Sequence, residues 1–234
     1  PADELNSNKY SYWNIESIGG YRPIKLRNYQ DLMDAKGFSR PQVLDMLNVK
    51  YVLTRKKINN PNFIALKDVP GVFQNINVLP KAWIVGNVKS VETQRQSLME
   101  TLLNGFDPSN TAIIYKYQGE PLKGMASGQV DVISRSENKI NIMSQSETGG
   151  LLVLSEIYYK PGWKAFVDDI ETAIYQTNHV LRSIVVPSGD HHVIMKYDDQ
   201  KWKWIRLLSR ISFFGTLIAI LFLYKNPIIR LIKK

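Results

Sequence analysis

Residues 128–197 decide the fold, and they read GQVDVISRSENKINIMSQSETGGLLVLSEIYYKPGWKAFVDDIETAIYQTNHVLRSIVVPSGDHHVIMKY. The stretch holds seven short runs rich in β-branched and aromatic residues, separated by turn residues every eight to twelve positions. Runs with that length and spacing are typical of sandwich strands. The run Leu151–Tyr158, LLVLSEIY, is almost continuously apolar and is expected to be a central strand. The stretch predicts a β-sandwich.

The sequence before residue 115 indicates a mixture of helices and strands. Two helices and two strands are expected, at Tyr29–Ala35, Pro41–Leu47, Val49–Thr54 and Ala82–Val88. A third helix should begin around Ser90 and end at Asn104-Gly105, because Asn-Gly favours the left-handed helix terminus.

The end of the chain predicts one transmembrane helix. Ile205–Tyr224 reads IRLLSRISFFGTLIAILFLY, and as a helix it would extend about 30 Å, the thickness of a bilayer hydrocarbon core. Tryptophan and basic residues flank it, as expected at membrane interfaces. A buried core helix or an amphipathic surface helix are the alternatives. Basic residues on the two flanks nearly balance, so charge leaves the orientation open.

These features predict an α+β chain with four parts. A mixed α/β module (1–114) and a linker (115–127) come first. An antiparallel β-sandwich of jelly-roll or immunoglobulin-like type (128–200) follows, and a transmembrane helix with a basic tail (201–234) ends the chain.

Composition and motifs exclude several function classes. The chain lacks cysteine, which excludes disulfides, thiolate metal sites and a cysteine nucleophile. Of the net charge of +9, residues 201–234 supply +8, because they carry eight basic and no acidic residues, so the near-neutral body does not indicate nucleic-acid binding. No hydrolase, P-loop or dinucleotide motif occurs. Neighbouring His191 and His192 would face opposite sides of a strand, and His179 is the only other histidine, so neither a metal site nor a cofactor is predicted.

One aromatic and polar group is a candidate ligand site. Flat apolar rings suit sugar CH groups, and bidentate side chains suit hydroxyls or phosphate. The candidates are Glu156, Tyr158, Tyr159, Trp163, Asn178 and Arg182. The alternative, which the residues favour, is ordinary sandwich packing with a buried ion pair between Glu156 and Arg182.

Several blocks, in order, resemble the C-terminal part of the bacterial YfhO family of polytopic membrane proteins. They are Ser17–Asp34, Val43–Leu53, Leu79–Val85, Phe106–Ile114, Leu151–Asp168 and Asn178–Tyr197. The resemblance implies a GT-C type glycosyltransferase that uses a polyprenyl-phosphate sugar and acts on lipoteichoic acid or another envelope glycan. It also implies that the body is extracytoplasmic, that the terminal helix is the last span and that the tail is cytoplasmic.

The resemblance carries over no catalytic residue, because the family's acidic loops belong to the N-terminal core. The chain begins PADELNSNKY without Met or an apolar leader, which favours a C-terminal piece of a longer protein over a tail-anchored cytoplasmic one. Asp169 stands where the family usually has Gly after the turn Asp, and Tyr21-Arg22-Pro23 replaces the family's more usual Tyr-His. The turn type at Asp169 is therefore open.

The resemblance thus implies the non-catalytic part of an envelope glycosyltransferase, with binding of the acceptor glycan as its expected role. Its expected partners are membrane lipid, its own multi-span core and envelope glycan. An interaction scaffold that binds a partner protein and no sugar is the alternative.

Overall fold

The computed structural model describes residues 8–21, 23–119, 122, 128–198 and 200–232. Residues 1–196 form one compact unit and residues 197–234 a second one. Short helices open the first unit. They are α1 (Lys9–Tyr12), α2 (Arg27–Asp34), a 3₁₀ turn (Gly37–Ser39) and α3 (Pro41–Met46). Pro41 occupies the first turn of α3, where its missing N–H costs nothing.

A small three-stranded sheet follows the helices. Its strands are β1 (Tyr51–Leu53), β2 (Phe63–Ala65) and β3 (Val72–Asn75), in the antiparallel order β1-β3-β2.

The rest of the first unit is a two-sheet sandwich with one helix, α4 (Gln94–Thr101). The six-stranded sheet has the order β4-β9-β13-β12-β6-β5, and the five-stranded sheet has the order β11-β10-β14-β8-β7. The strands are β4 (Ala82–Val85), β5 (Asn87–Val91), β6 (Thr111–Tyr115), β7 (Gly128–Arg135), β8 (Lys139–Ser146), β9 (Gly150–Ile157), β10 (Trp163–Val167), β11 (Ile170–Thr172), β12 (Tyr175–Thr177), β13 (Leu181–Val186) and β14 (Gly189–Tyr197). The predicted α+β class is confirmed.

Strand β9 explains the layered core. It lies between β4 and β13, as the continuous apolar run predicts. Leu152 and Leu154 pack between the two sheets, whereas Leu151 and Val153 pack with residues of the helices such as Leu32. Because alternate side chains enter different cores, both faces of this strand must be apolar. The six-stranded sheet is therefore the middle layer of the unit.

The sheet also joins residues from both sides of the predicted linker. β4, β5 and β6 precede residue 116, and they share the sheet with β9, β12 and β13. β6 ends at Tyr115 and β7 begins at Gly128. Within the predicted linker 115–127, residues 120, 121 and 123–127 lie outside the described part of the chain.

The second unit contains the helix α5 (Gln200–Ile232). Its segment Trp202–Tyr224 has 23 residues and a mean hydropathy of 1.9, and none of its most apolar window is buried within the protein. Its length and composition suffice to cross a membrane, and its exposure is unlike that of a soluble core helix.

Candidate functional site

The end of β9 and the beginning of β10 bring four of the six candidate residues close together in the chain. Glu156 is the penultimate residue of β9, and Trp163 begins β10. Tyr158 and Tyr159 lie in the connection, which turns at Pro161-Gly162. Gly162 has φ of +83°, a left-handed conformation that glycine adopts without strain.

Arg182 on β13 stacks against Trp163. Its guanidinium carbon lies 4.3 Å from the centre of a Trp163 ring, a cation–π geometry. Its Nη2 donates a 2.7 Å hydrogen bond to the Ile157 carbonyl oxygen. The residue is only 5% exposed, and its Nε and Nη1 have no hydrogen-bond partner in the described structure. Burial lowers the pKa of this guanidinium, because desolvation disfavours the charged form.

Glu156 pairs with Arg135 instead of the expected partner Arg182. Arg135 Nε lies 2.7 Å from Glu156 Oε1, and its Nη1 lies 2.5 Å from Glu16 Oε1. Glu16 in turn accepts a 2.7 Å bond from Lys81 Nζ. Hydrogen bonds from Lys81 and Arg135 lower the pKa of Glu16. Burial acts to lower the pKa of Arg135, but Glu16 and Glu156 reverse this effect and raise it. The four groups form one chain of alternating charges at this end of the sandwich.

Tyr158 and Tyr159 line a small cavity, which we call the aromatic cleft. Its volume is about 180 Å³, and its other lining residues include Arg27, Asn28 and Lys160. Burial raises the pKa of Tyr158, so its hydroxyl stays protonated at neutral pH. Tyr159 is 42% exposed and presents its ring to solvent. The volume is below that of a drug-sized ligand site, about 300 Å³ or more. The cleft can therefore hold one small polar group.

Asn178 occupies the turn between β12 and β13, next to His179. Both residues have positive φ, +46° and +66°. The fully buried Asn178 accepts a 2.9 Å hydrogen bond at Oδ1 from the Ile113 N–H, so it joins this turn to β6. Both ring nitrogens of the buried His179 lack partners among the described residues. Burial lowers the pKa of His179, and nearby Asp31 and the Asn28 backbone offset this effect only in part.

A histidine–carboxylate pair was not expected from the sequence. His191 Nδ1 lies 2.6 Å from Asp168 Oδ2, and its Nε2 lies 3.1 Å from the Ser188 carbonyl oxygen. Both partners are acceptors, so the ring satisfies both bonds only as a doubly protonated imidazolium. The Asp168 hydrogen bond raises the pKa of His191. The pair joins the β10–β11 turn to the beginning of β14, since Asp168 and His191 lie 23 positions apart in sequence. Among the described residues, no group of three or more histidine or acidic side chains could hold a metal ion.

The sandwich followed by an exposed apolar helix defines a membrane-associated protein. Residues 116–209 match the sequence profile of a family described as bacterial membrane protein YfhO. The match covers β7 to β14 and the first part of α5, so the resemblance is confirmed over that part of the chain. No match was found among curated proteins or solved structures.

Proposed function

We propose that this chain is the extracytoplasmic, non-catalytic part of a polytopic glycosyltransferase-like protein that acts on a cell-envelope glycan of the lipoteichoic acid type. The YfhO-family match and the membrane-length helix support this proposal. The body lies outside the cytoplasm, α5 is the last span, and the basic tail is cytoplasmic. An N-terminal multi-span core supplies the catalytic residues.

The aromatic cleft is the place where the body holds the acceptor glycan, and its exposed ring is the observation that carries this assignment. Tyr159 offers a flat apolar face, while Arg27 and Lys160 supply positive charge for a glycan phosphate. Asn28 and Tyr158 offer hydrogen-bonding groups to hydroxyls.

The remaining candidate residues position the cleft. Arg182 binds the carbonyl of Ile157, the residue just before Tyr158, and stacks on Trp163 at the other end of the connection. Glu156 is held by Arg135, and Asn178 holds the neighbouring β12–β13 turn. These contacts fix both ends of the segment that carries the two tyrosines.

Glycan binding can be tested with the full chain in lipid nanodiscs and purified lipoteichoic acid. Tyr159→Ala is expected to weaken binding about fivefold, because one aromatic contact contributes about 1 kcal/mol. Tyr21→Ala is the matched control, since Tyr21 is exposed and does not line the cleft. No saturable binding, or equal losses in both variants, would contradict the assignment. A stoichiometric protein partner in membrane pull-downs, with glycan transfer by cells unchanged after Trp163→Ala, would favour the scaffold alternative.

Sidedness can be tested because the chain lacks cysteine. A single cysteine at exposed Ile170 should react with a membrane-impermeant maleimide in intact cells, whereas one at Lys233 should react only after lysis. The reverse pattern would place the body in the cytoplasm.

A further inference from the structure

The sheet β1-β3-β2 is strongly basic, and the proposed glycan site does not use it. We call residues 50–75 the flap. The flap contains one acidic residue, Asp68, and five basic residues, Lys50, Arg55, Lys56, Lys57 and Lys67. All six are exposed, and none of the basic side chains forms an ion pair in the described structure. The flap therefore carries a net positive charge that the body does not neutralise.

The base of the flap is anchored to the body through Asn75. Its buried Nδ2 donates hydrogen bonds to Asp45 Oδ1 at 2.7 Å and to the Val49 carbonyl oxygen at 3.1 Å. Asn75 pairs with Phe63 at the beginning of β2. This end of the small sheet is thus fixed against the helical layer.

The opposite end of the flap is a tip formed by residues 53–57 and 66–71. Leu53 pairs with Val72 across the sheet, which brings the two segments to the same end. The Thr54 N–H donates to the Gly71 carbonyl oxygen at 2.9 Å, and the Leu66 N–H donates to the Val72 carbonyl oxygen at 3.0 Å. The tip is therefore a hydrogen-bonded structure at the distal end of the flap.

The tip combines exposed apolar and cationic side chains. Leu53 is 48% exposed and Val69 is 49% exposed. A cavity of about 640 Å³ opens beside them, lined on one side by Arg55, Lys56 and Lys57 and on the other by apolar residues of β2 and β3. Apolar side chains flanked by lysine and arginine are typical of surfaces that enter the headgroup region of a membrane.

The flap also arises at the end of the sandwich where β14 ends. Near the end of β14, Met195 pairs with Ile140, and Ile140 pairs with Arg135. Arg135 is linked through Glu16 to Lys81, the residue just before β4. Residues 76–81 join that point to the flap. After β14 the chain continues into the apolar segment that begins at Trp202, which is long enough to cross a membrane.

From these observations we propose that the flap tip docks on the anionic phospholipid surface of the bilayer that α5 enters. Leu53 and Val69 pack among the lipid headgroups, and Arg55, Lys56, Lys57 and Lys67 bind lipid phosphates. Each cation near an anionic surface changes partitioning by a factor of about five, so four cations outweigh the single Asp68.

The test uses the full chain in nanodiscs with a single fluorescent label. Val69→Cys carries an environment-sensitive fluorophore, and nitroxide-labelled lipids quench it on contact. Ile170→Cys is the matched control, because Ile170 is an exposed apolar residue of the β10–β11 hairpin. The turn of this hairpin contacts the beginning of β14 and not its end, since the Asp168 N–H donates to the His192 carbonyl oxygen. Quenching at residue 69 should exceed that at residue 170 several-fold in phosphatidylglycerol discs.

Charge dependence completes the test. In discs of phosphatidylcholine alone, or in the Lys56→Glu/Lys57→Glu variant, the excess quenching at residue 69 should fall by at least about half. Equal quenching at the two labelled positions would overturn the proposal. Quenching at residue 69 that changes neither with lipid charge nor with charge reversal of the flap would overturn it too. Shielding of residue 69 by a co-purified protein, and not by lipid, would also overturn it. Loss of glycan binding in Tyr159→Ala leaves this result unchanged, so the two proposals fail independently.

Discussion

Replacing the buried Arg182 by methionine should leave stability nearly unchanged, whereas replacing it by alanine should not. Methionine keeps the length of the stem but removes the bond to the Ile157 carbonyl, about 1.5–3 kcal/mol, and the stacking on Trp163, about 0.5–2 kcal/mol. It also removes two buried nitrogens without partners, each of which costs about 1–3 kcal/mol. The gains and losses in the free energy of unfolding therefore cancel to within about 2 kcal/mol.

Arg182→Ala loses the same polar contacts and leaves a cavity between the sheets. It should therefore be about 2–4 kcal/mol less stable than Arg182→Met. Urea unfolding of the full chain in detergent, followed by near-ultraviolet circular dichroism, measures both variants. Methionine and alanine at the exposed Arg95 are controls and should differ by less than about 0.5 kcal/mol. If Arg182→Met loses as much as Arg182→Ala, the charge itself stabilises the fold and this reasoning is refuted.

Two further predictions concern turns of the sandwich. Because the pKa of His191 is raised, its bond to Asp168 stabilises the fold fully below pH 6.5, and this contribution is lost as the pH rises through the folded-state pKa. His191→Gln should therefore flatten the fall in urea midpoint between pH 5.5 and 8.5, whereas His192→Gln should not. Equal slopes in both variants would contradict the pairing. Gly149→Ala places a Cβ 2.8 Å from backbone atoms of Val186 and Pro187 at the β13–β14 turn, whereas Gly105→Ala shares the left-handed strain but meets open space. The first substitution should therefore cost about 1–3 kcal/mol more than the second, and equal losses of urea midpoint would contradict the clash.

The sandwich was predictable because its strands are short, regularly spaced and separated by turn residues. The central position of β9 followed from its continuous apolar run, since a strand with helices on one face and a sheet on the other needs apolar residues at every position. The helix expected around Ser90 begins later, with Thr93 as its N-cap. Thr93 and Gln96 exchange hydrogen bonds as a capping box, a Thr-x-x-Gln signal that was present in the sequence.

Partnerships at the candidate site were not predictable from residue types. Glu156 was expected to pair with Arg182, yet Arg135 holds it from β7. Sequence identifies which charges exist, but the choice between two arginines depends on how the two sheets pack, which places Arg135 at the end of β7 beside Glu156 near the end of β9. The same dependence on tertiary packing explains why the six-stranded sheet pairs β6 with β12, although residues 115–127 were predicted to be a linker.

The burial of these groups decides which candidate residues can contact a glycan directly. Nε and Nη1 of Arg182 are buried, its Nη2 already bonds to Ile157, and Asn178 is buried with its oxygen bound to β6. A ligand could reach either residue only by opening the sandwich, at the cost of the contacts that hold the connection after β9. Tyr159 is exposed at the aromatic cleft and needs no such opening. In the glycan-binding role that we propose, direct recognition therefore falls to the cleft, and the arginine–tryptophan pair acts indirectly by fixing the tyrosines. A substitution at Arg182 should then alter affinity only to the extent that it loosens the connection.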